Sequence, residues 1–135
     1  MSLTSTETLR SALNQWMTLF NAHDIDGLMS LYDPEATYAP HTSGRKGNLA
    51  AIRESFIADF AISPVVKFEE EVVVAGESLG YVTGHFSMRA KNPQDQSEIQ
   101  DFGRVVAIFR KSADGEWKLL FDMDNRSPDV QQAWV

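Results

Sequence analysis

Residues 103–125 read GRVVAIFRKSADGEWKLLFDMDN, and their patterning decides the fold. Arg104 to Phe109 forms one apolar arm, and Trp117 to Asp124 forms the other. A polar turn at 112–115 joins them. Both arms are apolar on both faces near their middles, which marks central strands covered on two sides. Asp122 and Asp124 then stand where an apolar strand should continue.

Upstream of this hairpin the same period of two persists. Val66, Phe68, Val72 and Val74 fall on one face of a strand, interrupted by Glu70. After a turn at 75–78 comes a strand with Val82, Phe86 and Met88 on one face and Tyr81, Thr83, His85 and Ser87 on the other. The four strands form a meander. Earlier still the period is helical. Thr4 and Glu7 have capping-box spacing, and Leu9, Leu13, Trp16, Met17 and Phe20 follow on one helical face. Asp24 is positioned to cap a short helix over 25–32, stopped at Asp33-Pro34 because the residue before proline avoids the α region. Ala36 to Tyr38 reads as a short strand, and 40–47 as a loop. Asn48 is the expected N-cap of a third helix, with Ile52, Phe56, Ile57 and Phe60 on its apolar side and Ser63-Pro64 closing it. Helices first, then long antiparallel strands, give an α+β fold in one domain over 1–135. Trp134 in the tail is expected to pack.

Composition narrows the function classes. A net charge of −7 is opposite to the basic face that nucleic acid requires. The absence of cysteine excludes disulfides and thiolate chemistry. The first ten residues carry no cationic segment leading into an apolar run, and the apolar runs fall short of a membrane span. A cytoplasmic protein with no membrane partner is the expectation. The apolar outer face of the last strands needs cover, and a homodimer packed sheet to sheet would supply it, with the C-terminal tail as the alternative.

Residues 21–28 (NAHDIDGL), 31–36 (LYDPEA), Arg45-Lys-Gly47 with Ala51-Ile52, and 114–119 (DGEWKL) carry a resemblance. In this order and spacing the chain resembles the SnoaL-like group of the nuclear transport factor 2-like superfamily. The resemblance implies a cystatin-like cone, with N-terminal helices packed in the concave face of a curved, mixed, mainly antiparallel sheet. It also implies an apolar pocket inside the cone, with Trp16, Phe20, Tyr32, Tyr38 and Phe56 as its expected lining.

Against the ketosteroid isomerase pattern within that superfamily, three positions depart: Trp16 replaces the tyrosine, Ala39 the base before Pro40, and the apolar run at 105–107 the second acid. That mechanism is disfavoured. The SnoaL-like cyclases use an aspartate in the last strand, and Asp122 and Asp124 are the matches. Strict alternation puts both on the face of Leu120. Inside an apolar cone, desolvation and mutual repulsion would raise at least one pKa, as a general acid requires; at the solvent end they would be ordinary surface charges. His41, after Pro40 at the expected pocket mouth, is a candidate base, and Asn125 a candidate ligand contact. His23 reads as a helix C-terminal cap, and His85 as lining either the pocket or the outer face. Arg104 depends on register. A loop over 111–115 puts it opposite Asp122 as a ligand anchor; a loop over 112–115 puts it opposite Met123 as a surface charge. No HxxxH, P-loop, dinucleotide or Ser-His-Asp pattern is present. Two readings stand: a cofactor-free, metal-free isomerase, dehydratase or cyclase acting on a small apolar molecule with a polar end, or a non-catalytic binding or assembly module.

Overall fold

Local capping starts each helix. In the computed structural model, which describes residues 4–130, Thr4 and Glu7 close the expected box: Glu7 N donates to Thr4 Oγ1 at 3.1 Å and Thr4 N to Glu7 Oε2 at 2.9 Å. Helix α1 (Ser5–Asn21) follows, burying Leu9, Leu13 and Phe20. Beyond its C-cap, His23 takes a left-handed φ of 57° and reaches the Pro64 carbonyl through Nε2 at 2.8 Å. Asp24 caps α2 (Ile25–Met29), which is shorter than expected. Its predicted last turn instead opens strand β1 (Tyr32–Ala39), and Asp33-Pro34 lies within that strand. Proline lacks a ladder donor, and β1 tolerates it because it is an edge strand. Asn48 caps α3 (Leu49–Phe60), accepting from Ala51 N at 2.9 Å. Ile52 and Phe56 are buried there, but Ile57 is 50% exposed, one residue out of phase with the packed face.

Strands β2 (Val65–Ala75), β3 (Leu79–Lys91), β4 (Glu98–Lys111) and β5 (Trp117–Asn125) form the antiparallel meander, and β1 joins parallel to β5. The order is β1-β5-β4-β3-β2. The helices cover one face, where Val82, Ala107, Phe109 and Leu119 meet Leu9, Phe20 and Phe56 in one core. Asn21 docks α1 on β2 by a paired contact, its side chain donating to Val66 O at 3.1 Å and accepting from Val66 N at 2.8 Å. The chain is an α+β cystatin-like fold with a mixed, mainly antiparallel sheet, as expected.

Two bulges set what faces inward. In β5, Phe109 pairs with Leu119 but Ile108 pairs with Phe121, so Leu120 is the extra residue. The phase flips there. Asp122 and Asp124, opposite Ala107 and Val105, share the inner face with Leu119, correcting their assignment to the face of Leu120. Arg104 consequently meets neither Asp122 nor Met123 but Asn125. In β2 the register slips between Glu70 and Val72. Phe68 faces inward opposite Phe86, whereas Val72 and Val74 turn to the outer face opposite Thr83 and Tyr81. The expected common face for Phe68 and Val74 is therefore split by the bulge. Trp134 lies outside the described residues.

Candidate functional site

Between α1, α3 and the inner sheet face lies a cavity of about 300 Å³. Its walls are mostly apolar. Trp16 stacks on Phe20 with centroids 4.9 Å apart, and Tyr38 stacks on Phe56 at the same distance. Into these walls project four carboxylates: Asp59 from α3, Asp101 from β4, and Asp122 and Asp124 from β5.

Asp122 is the deepest of these, 7% exposed. Tyr32 Oη donates to its Oδ2 at 2.9 Å, and Trp16 Nε1 donates in turn to Tyr32 Oη at 3.0 Å. Burial pushes the Asp122 carboxyl up to about 7, the Tyr32 hydrogen bond pulls it down, and the Asp124 charge adds to the rise. Burial also holds the Tyr32 phenol well above its ordinary value, keeping it a neutral donor. Asp122 thus sits where a carboxyl can both hold and release a proton near neutrality.

A second chain of contacts runs along the cavity mouth. The backbone N–H of His41 donates to Asp124 Oδ1 at 3.0 Å, and the Nδ1 of the same residue also meets Asp124. The other ring nitrogen, Nε2, lies 3.0 Å from Asp101 Oδ1. Arg126 donates to the same Asp101 oxygen at 2.7 Å. Both imidazole nitrogens are therefore occupied by carboxylates. Such a ring cross-links its two partners across the cavity mouth.

Asp59 was not a candidate from sequence. It stands three residues after Phe56 and seven after Ile52, on one helical face with both. That spacing was the available signal, masked by the apolar count around it. Burial raises its carboxyl to about 6, Lys46 lowers it, and Asp124 raises it further. Asp101 was likewise missed, because one acid in a polar strand end carries no pattern.

Trp16, Phe20, Tyr38 and Phe56 line the cavity. Tyr32 stands behind Asp122 as its hydrogen-bond donor. Arg104 and Asn125 do not reach the cavity. The β4–β5 register turns Arg104 outward, where it pairs with Glu71 at 2.5 Å and with Asp129. His85 also faces outward, with Glu69 at 3.1 Å. Among the described residues, no group of three or more His, Asp or Glu is disposed to hold a metal ion.

A family model described as a SnoaL-like domain matches residues 13–120. The fold is similar to a ketosteroid isomerase-like protein from Erwinia carotovora atroseptica, at 17% identity and a TM-score of 0.83 over 94% of this chain and 100% of that one. It is similar to a nuclear transport factor 2-like superfamily protein from Salmonella enterica, at 10% identity and a TM-score of 0.83 over 96% and 95%. An NTF2-like protein with a cystatin-like fold from Novosphingobium aromaticivorans matches at 14% identity and a TM-score of 0.76 over 93% and 84%. At these identities the likeness is one of fold.

Proposed function

The chain belongs to the SnoaL-like domain family, and from that membership and the cavity chemistry we propose that it is a cofactor-free proton-transfer enzyme. Its substrate is a small apolar molecule with a polar end, and the reaction is an isomerisation, dehydration or cyclisation. The observation that carries this reading is the Asp122 carboxyl, buried in an apolar wall and held by Tyr32. Asp122 gives or takes the proton. Tyr32 and Trp16 fix its orientation from behind. Asp124, secured by His41, adds negative charge that keeps the Asp122 proton available near neutral pH. His41 is a positioning residue, and Trp16, Phe20, Tyr38 and Phe56 hold the apolar part of the substrate. The ketosteroid isomerase-like description is that of the Erwinia protein; the departures at Trp16, Ala39 and 105–107 are from the ketosteroid isomerase pattern and disfavour that mechanism for this chain.

Base-catalysed ring opening of 5-nitrobenzisoxazole tests the reading without knowledge of the substrate. The ionised carboxylate takes the C3 proton as the N–O bond breaks, releasing 2-cyano-4-nitrophenolate. The rate should rise with pH through about 7 and then level, following Asp122 ionisation. Asp122→Asn should lower kcat/KM by at least about 100-fold. An unchanged rate in that variant would remove Asp122 from the chemistry. No turnover above buffer in the parent would favour the non-catalytic binding module.

The same reading includes a homodimer through the outer sheet face and a cytoplasmic setting. Val72, Val74, Tyr81 and Met123 share that face and are each at least 39% exposed, an apolar surface that a second copy would cover.

A further inference from the structure

Among the described residues, every ionisable side chain in the cavity lining is an acid or a tyrosine, and none is a lysine, arginine or histidine. The nearby cations are mostly taken up by two of these acids. Arg126 and His41 are bound to Asp101, and His41 also to Asp124. Lys46 Nζ donates to Ser43 Oγ at 2.5 Å and acts on Asp59 by its charge alone, with no hydrogen bond between them among the described residues. Two carboxyls, Asp59 and Asp122, therefore face the cavity without a hydrogen-bonded cation among the described residues. The Asp59 carbonyl accepts from Ile62 N at 3.1 Å, but no donor among the described residues reaches its carboxyl oxygens. Asp122, more than nine-tenths buried, has a donor on Oδ2 alone. A carboxylate bordered by aromatic faces is a site for a positive charge, because the ring quadrupoles and the carboxylate attract the same sign. An anionic end group would meet the two carboxyls that have no hydrogen-bonded cation, a like-charge juxtaposition that costs affinity.

Building on the proton-transfer reading, we infer that the polar end of the ligand is a protonated amine, and that Asp59 is the specificity-determining residue that receives it. Asp59 suits this role better than Asp122. It lies on α3, across the cavity from the sheet, and it is less deeply buried, so it carries its charge at a lower pH. Asp122 is left for the proton. The ligand class is then an aryl or alicyclic amine small enough for about 300 Å³.

Titration calorimetry with three matched probes tests the assignment: 1-naphthylmethylamine, 1-naphthalenemethanol and 1-naphthoate. They share a ring and differ in end-group charge. At pH 7.5 the amine should bind at least about tenfold more tightly than the alcohol, and the naphthoate most weakly. Asp59→Asn should remove the amine's advantage and leave the alcohol's Kd unchanged. In the unmodified protein the advantage should shrink from pH 7.5 to pH 5, and it should shrink in the same way in Asp122→Asn, where Asp59 alone of these two carboxyls still takes up a proton. The charged groups bearing on Asp59 are Lys46 from the 40–48 loop and Asp124 from β5, and the amine keeps its proton throughout that range. This pH arm stands even if Asp59→Asn does not fold. An alcohol that binds as well as the amine, a naphthoate that matches either, or an advantage that survives Asp59→Asn overturns the amine assignment while leaving the cavity reading intact. Failure of all three probes to bind overturns both.

Discussion

At the residue scale, burial makes the charged form of Asp122 costly to the fold. Its native-state carboxyl titrates at about 7, above the ordinary aspartate value of about 3.9, so the folded chain holds the proton longer than the unfolded chain. The linked stability is fully present below about pH 4 and is lost as pH rises through about 7. The difference is on the order of 2–4 kcal/mol. Asp122→Asn keeps an oxygen for the Tyr32 hydroxyl and cannot ionise. It should therefore be more stable than the parent at pH 8 by about that amount, with a flatter profile between pH 4 and 7. Urea unfolding at several pH values measures this. A variant less stable than the parent at pH 8 would show that the charged form is not penalised there.

At the scale of elements, the bulges decide which side chains meet. Strict alternation from Trp117 and Leu119 would send Phe121 and Met123 inward and leave both aspartates outside. One extra residue at Leu120 reverses this. Strand β2 repeats the device near Glu70, opposite Gly84. A Cβ on Gly84 would fall 2.2 Å from the Glu69 carbonyl and 2.5 Å from the Phe68 ring. The absent side chain lets β2 lie close where it bends. Gly84→Ala should cost about 1–3 kcal/mol through this overpacking. Urea titration should show a lower midpoint with the slope unchanged. A midpoint equal to the parent's would mean that Phe68 and the strand yield freely.

Across the whole molecule, the sheet separates two surfaces: acids and aromatics inside, and valines, tyrosine and methionine outside. If two copies pack through the outer face, Val74→Glu should convert the dimer to a monomer. Sedimentation velocity would read this directly, and the naphthalenemethanol Kd should stay within about twofold because the cavity is on the opposite face. A parent protein that sediments as a monomer, or a variant that stays dimeric, would place the contact elsewhere.

The sequence by itself determined the elements and their order. Capping at Thr4, Asp24 and Asn48 is local chemistry, written in adjacent residues, and the switch from helical to twofold periodicity marks the start of the sheet. The aromatic lining at Trp16, Phe20, Tyr38 and Phe56 was an expectation from the family resemblance, since apolar spacing marks such residues as core without placing a cavity among them. What only the tertiary structure decided was phase and partnership. A bulge has no signature in a continuous apolar run, because either face accepts leucine or phenylalanine, so the inward turn of Asp122 and the outward turn of Arg104 had to come from strand pairing. His41 looked available until Asp101 and Asp124, distant in the chain, occupied both its nitrogens. Asp59 became visible as a cavity residue only when α3 settled against the sheet. Periodicity is a property of neighbours along the chain; charge, burial and proton affinity depend on neighbours in space.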